Sequence, residues 1–191
     1  MSNLPRHKYL LTYRYSEIIH DGTISFCKKF FDPFKDRRTI EQVTQAARSG
    51  KQNIVEGISI GDTSLKSEIK LLNVANGSLE EAIIDFEDFL RQRGLVIWSK
   101  TDPRITRFRQ YAYRLTYISN LSDLGNLKER LVLPKIPEEA ANLLLTLCHL
   151  ATYLLHKQIQ SAEKKFVEEG GYTENLFKKR VSHLRNLGNL K

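Results

Sequence analysis

The chain has 191 residues, 41% of them hydrophobic, with 30 Lys and Arg against 22 Asp and Glu for a formal net charge of +8. That length suits one compact domain with an appendage, and the apolar content is enough to fill a core, which excludes global disorder. No run of about 18 or more apolar residues occurs, so no membrane span is expected, and the opening MSNLPRHKYLLTYRYSE turns polar too soon for a secretory signal.

Cys27 and Cys148 stand far apart in apolar helical contexts. They are expected to be small buried packing groups in a reducing, cytoplasmic setting. The basic excess is uneven. Residues 1–51 carry ten basic and five acidic groups, 52–90 two and eight, 91–135 ten and three, 136–170 three and five, and 171–191 five and one. Such alternation suits attraction between unlike segments of an assembly, or a basic surface that attracts phosphate.

The periodicity predicts a first helix from about His7 to Phe31, with Leu11, Tyr15, Ile18, Ile19, Phe26 and Phe30 as its apolar stripe and Gly22 a weak point. Asp32-Pro33 ends it, because the residue before proline avoids helical angles. Thr39 and Gln42 fit an N-cap and its reciprocal partner for a second helix, whose seam is Ile40, Val43, Ala47, Gly50, Ile54 and Gly57. Gly57 and Gly61 are its expected stops. Thr63 or Ser64 caps a third helix reaching about Arg93, with the seam Leu65, Ile69, Leu72, Asn76, Leu79, Ile83, Phe86 and Leu90, and Gly94 closes it. Asn76 on that seam is the kind of polar residue that fixes register or oligomeric state.

Asp102-Pro103 opens a further helix to about Asn120, with Ile105, Phe108, Ala112, Leu115 and Ile118 on its apolar side. Residues 121–136 read as a connector. Pro137 and two glutamates start the last long helix, since Pro suits the first turn and acids complement the helix dipole. Gly170-Gly171 ends it. No strand-like alternation competes, so the expected class is all-α, with a helical domain over 1–170 and a basic C-terminal extension over 171–191.

Two runs, AARSGKQNIVEG (Ala46 to Gly57) and SEIKLLNVANGSLEEA (Ser67 to Ala82), resemble a bacterial four-helix-bundle family. It includes the proteins encoded in ribosomal-RNA intervening sequences and the accessory variability protein of diversity-generating retroelements. Gln42, Ala46, Ala47, Ser49, Asn53, Ile54, Glu56 and Gly57 match its first motif, and Ala75, Gly77, Ser78, Leu79 and Glu81 its second. YLLHKQIQSAEKKFVEEGGYTENL looks like the C-terminal suffix of one branch. Gln45 stands where the family usually has Arg, and Gly50 where it prefers Ile. The resemblance implies an antiparallel four-helix bundle assembled as a homo-oligomeric ring, commonly a pentamer, with no established enzyme activity. In the retroelement branch it also implies binding to a reverse transcriptase and to nucleic acid, RNA or DNA.

Arg104, Arg107, Tyr111 and Arg114 lie at spacings 3, 4 and 3, hence on one helical face. A basic face with an aromatic can grip phosphates and stack a base. It can equally pair with acidic residues of another subunit. Lys178, Lys179, Arg180 and Arg185 extend this surface, or belong to an amphipathic partner-binding helix with Leu184, Leu187 and Leu190, or to a tail disordered until binding. Asn53, Glu56 and Ser78 are expected in interhelical hydrogen bonds, and a buried Glu56 needs a partner. The Glu-x-x-His pairs of ferritin-like bundles are absent, and His149 and His156 lack a third ligand nearby, so no metal or other cofactor is expected. No Walker loop, Rossmann fingerprint, Gly-x-Ser-x-Gly elbow or HExxH occurs. The sequence points to a non-enzymatic adaptor for nucleic acid, with a protein scaffold docking a partner enzyme as the alternative.

Overall fold

A computed structural model describes residues 4–117 and 130–186. They form a 3-10 turn at Arg6–Tyr9 and six helices: α1 (Leu11–Phe30), α2 (Arg37–Ile60), α3 (Leu65–Gln92), α4 (Pro103–Thr116), α5 (Pro137–Glu169) and α6 (Tyr172–Asn186). The described residues contain no strand, and the fold is all-α.

Local chemistry sets most of these boundaries. The Ser64 hydroxyl accepts a hydrogen bond from the Ser67 N–H at 3.2 Å, and the Asp102 carboxylate one from the Arg104 N–H at 2.8 Å, each satisfying a donor the first helical turn leaves free. Proline occupies the first turn of both α4 and α5, where its missing N–H costs nothing. Gly94 and Gly170 stop α3 and α5 with φ of 65° and 77°, angles that a side chain disfavours.

Three expectations fail at helix ends. Gly57 does not stop α2; it is buried within the helix, which runs on to Ile60 with Gly61 following. Thr39 is not the cap of α2, which begins two residues earlier at Arg37. The Asp32 carboxylate accepts from the N–H groups of Phe34 and Lys35, and Asp36 accepts from the Asp32 N–H, so this tight turn delivers the chain straight into the helix. α4 ends at Thr116 rather than near Asn120, because Tyr117 is already extended. Ile118 and most of the expected connector lie outside the described residues; 130–136 are not helical.

Helices α1, α2, α3 and α5 pack in a closed cycle, α1 on α2, α2 on α3, α3 on α5 and α5 back on α1. Side-chain contacts join neighbouring helices of this cycle: Thr12 of α1 donates to Gln158 of α5 at 2.8 Å, His20 of α1 meets Lys51 of α2 at 3.1 Å, and Ser49 of α2 meets Ser78 of α3 at 3.0 Å. The α2–α3 pair is the most intimate, since Ala46, Ala47, Gly50 and Gly57 are all buried and let the helices approach. At the other end Phe26, Phe86 and Phe89 meet edge to face, with centroids 5.3 and 4.7 Å from Phe26. Each fully buried Leu, Ile or Phe here contributes about 1.5–3 kcal/mol of apolar transfer.

α4 lies outside this cycle, packed on α5 through Ile105, Ala112 and Leu115. It is tied to α1 by the Arg14 guanidinium, which donates to the Thr116 carbonyl at 2.6 Å. α6 contributes no buried residue.

Candidate nucleic-acid interface

The four residues predicted to share a basic face of α4 divide into two kinds. Arg104 is committed locally. Its guanidinium donates to both oxygens of Asp102, at 3.0 and 2.8 Å from the nearer nitrogens, and lies 3.6 Å from the centroid of Trp98. Asp102 is held below the ordinary carboxylate range mainly by this bond. Tyr111 is half-buried against the core, and its hydroxyl accepts from the Val132 N–H at 2.9 Å. Arg114 sits near the Tyr111 ring, 5.7 Å from its centroid, and it and Arg107 are exposed.

The reason is the direction in which the helix is buried. Arg104 lies four residues before Phe108, and Tyr111 four before Leu115, so both border the packed stripe: Tyr111 is drawn into it, and Arg104, still exposed, folds over Trp98. The outward side is a hollow lined by Thr106, Arg107, Arg109, Gln110, Tyr113 and Arg114. Tyr113 is 61% exposed and tilts against Tyr117, also exposed, at 5.7 Å. Among the described residues Arg107, Arg109 and Arg114 form no ion pair. The outward aromatic beside three unneutralised arginines is therefore Tyr113, a residue the spacing argument passed over.

Lys178, Lys179, Arg180 and Arg185 all lie exposed on α6. The tail is thus a helix to Asn186, with Leu176 and Phe177 exposed as well. Leu187 and Leu190 lie outside the described residues.

The motif residues of α2 and α3 also divide. Ser78 makes the expected interhelical bond, to Ser49. Asn53 instead donates within its own helix, to the Ser49 carbonyl at 2.9 Å and hydroxyl at 3.1 Å, and reaches α3 only through that serine. Glu56 is exposed, so the partner required of a buried carboxylate is not needed. Gly57 is buried where an added Cβ would lie 3.3 Å from Leu71, whereas Gly77 is exposed with nothing within 4 Å. The Asn76 side-chain oxygen is buried without a hydrogen bond among the described residues. Gln42 and Glu81 face outward and, with Gln45, Ser49 and Asp85, line a polar groove between α2 and α3. There Asp85 is pushed up by burial, then by Asp88 and Glu81.

Beyond α4, the segment joining α3 to α4 is fastened to α5. Asn142 accepts from the Trp98 N–H at 2.9 Å and donates to the Val96 carbonyl at 2.9 Å. Glu138 accepts from the Trp98 indole at 2.8 Å and the Val96 N–H at 3.1 Å, which hold it below its ordinary pKa. Sequence reading missed this set, though Glu138 and Asn142, four apart on one helix, were its trace.

No protein-family model matches the chain, and searches of curated proteins and of solved structures find no match. No three His, Cys, Asp or Glu side chains gather in a metal-holding cluster among the described residues, and none of their helices is long and apolar enough to cross a membrane.

Proposed function

We propose that the chain is a non-enzymatic, self-associating helical-bundle adaptor that binds nucleic acid through the outward face of α4. The supporting observation is the set of Arg107, Arg109 and Arg114, exposed and unneutralised among the described residues, beside the exposed ring of Tyr113. Guanidinium groups neutralise phosphates and release counterions, and a free aromatic face stacks a base without regard to sequence. Lys178, Lys179, Arg180 and Arg185 on α6 supply a second basic element. In a homo-oligomer, a pentameric ring by the resemblance of the motifs, each copy repeats the face, so modest contacts multiply by avidity. A reverse transcriptase or another nucleic-acid enzyme is the protein partner that resemblance suggests.

The test is a filter-binding titration with RNA and with DNA over a range of salt. Replacing Arg107 and Arg114 by Glu is expected to weaken binding at least tenfold and to flatten its salt dependence, while the circular-dichroism melt is unchanged. Unchanged affinity in the folded variant would overturn the assignment. The second reading, a scaffold docking a partner enzyme without nucleic acid, draws on Leu176 and Phe177 exposed on α6. Stoichiometric co-purification of one protein after nuclease treatment, lost on changing Phe177 to Glu, is its signature.

A further inference from the structure

The fastening of residues 95–99 to α5 leaves a cavity of about 630 Å³ between that segment, α4 and α5, with Glu87 of α3 at one side. Its size falls within the roughly 300–1,000 Å³ of small-molecule sites. The floor and walls are apolar and aromatic, with Trp98, Ile105, Leu145, Leu150 and Tyr153 among them. The wall is rigidly built. Asn142, 1% exposed, spends its whole amide on the Trp98 N–H and the carbonyls of Val96 and Glu138, while the Trp98 ring is stacked on Phe108 at 5.6 Å and covered by Arg104. A buried polar group used to position a loop over a hollow gives a preformed shape, so little ordering opposes binding.

The polar lining is asymmetric. Lys100 and Arg109 stand exposed at the mouth and form no ion pair among the described residues, and Glu87 is the single carboxylate in the lining. His149 lies among these charges. Burial above all, then Lys100, keeps its pKa low, so it offers a neutral imidazole. We propose that this cavity binds a small aromatic anion, its ring system against Leu145, Tyr153 and the edge of Trp98, and its carboxylate or sulfonate at the mouth between Lys100 and Arg109. The ring would bury apolar surface, and the anion would meet two cations that form no ion pair among the described residues, with Glu87 at the other side of the lining. This site does not rest on the nucleic-acid reading and overlaps its surface at one residue. Arg109 is common to both, whereas Lys100 and Tyr153 belong to the cavity.

Trp98 is the only tryptophan in the chain, so its emission reports this site alone. The experiment titrates the full-length protein with 8-anilinonaphthalene-1-sulfonate and follows energy transfer from Trp98 to the dye. Saturable transfer at one dye per chain is expected. Lys100→Glu should weaken it about tenfold, as should Tyr153→Ala, which shortens an exposed wall without disturbing the core. N-phenyl-1-naphthylamine, with the same rings and no sulfonate, should bind at least tenfold more weakly to the native protein and equally to native and Lys100→Glu. Transfer that does not saturate, a stoichiometry well above one, or affinities unmoved by both substitutions would overturn the proposal. So would equal binding of the charged and uncharged dyes. Nucleic-acid affinity measured on Tyr153→Ala, expected at the native value, keeps this outcome distinct from that of the α4 face.

Discussion

At the scale of single residues, two glycines of α2 and α3 have opposite roles. Gly50 is buried against α3, where an added Cβ would come within 2.8 Å of Leu79 Cδ2 and 2.9 Å of its Cγ, and Leu79 is fully buried and has no room to retreat. Overpacking of this kind costs about 1–3 kcal/mol, set against a gain of about 1 kcal/mol in helix propensity. Gly50→Ala should therefore destabilise the fold by about 1 kcal/mol in a denaturant titration, the two effects partly cancelling. Gly77 has open space around it, so Gly77→Ala should stabilise by roughly 0.5–1 kcal/mol through propensity alone. A reversed order of the two variants would mean that the α2–α3 contact is looser than described. The sequence made Gly50 legible, because it falls on the same seam as Ala47 and Ile54. Gly77 lies one position off the seam, and nothing among the described residues accounts for it. Tyr111 and Tyr113 carry a similar lesson. Equal spacing put Tyr111 with the arginines, but which edge of a helix is swallowed depends on the neighbour it meets, and here that neighbour is α5.

At the scale of elements, the parts written in local chemistry were readable. Ser64, Asp102-Pro103, Pro137, Gly94 and Gly170 each mark a boundary through bonds or angles within a few residues. Thr39 misled because the competing turn, built by Asp32 and Asp36, saves a cap by running directly into the helix. The 95–101 segment was invisible because it has no periodicity, and the bonds that fasten it to α5 span 40 or more positions. Its dependence on a carboxylate gives an acid response. Glu138 is held below its ordinary value of 4.5 by the Trp98 indole and then the Val96 N–H. A carboxylate with a depressed folded pKa contributes stability in full above its unfolded pKa and loses it as pH falls through the folded one. Acidification from pH 5 downward, through about 4.5 and below, should thus shift Trp98 emission to the red as the segment loosens. Glu138→Gln should remove Glu138's share of that step and leave the share of Asp102, which Arg104 also holds low. Superimposable acid profiles for native protein and variant would show that the carboxylate does not fasten the segment.

At the scale of the whole molecule, the cycle of four helices encloses both thiols. Cys27 and Cys148 are 4% and 0% exposed, and burial pushes Cys27 up to about 11 and Cys148 higher still. Both should react with an aromatic disulfide reagent only through opening of the cycle, on the order of 10³-fold or more slower than in denaturant for a domain of ordinary stability. Fast native labelling of either would mean that the cycle opens locally. The outside of the molecule is governed by charge. Glu80 and Glu81 are exposed on α3, yet α4, which carries the unneutralised arginines, packs on α5 rather than against them. A second copy can set Glu80 and Glu81 against these arginines where no nucleic acid occupies them, and pairs between exposed groups are screened within a Debye length, about 10 Å at 0.1 M salt. Light scattering should accordingly report a particle of several copies at low salt whose mass falls as salt is raised. Reversing Glu80 and Glu81 to Lys should produce the same fall at low salt. A mass that ignores both salt and the reversal would assign assembly to apolar contacts, for which Val74 and Ile84 stand exposed on the same helix. A monomer at low salt would remove self-association, and with it the avidity proposed for nucleic-acid binding by three arginines per chain.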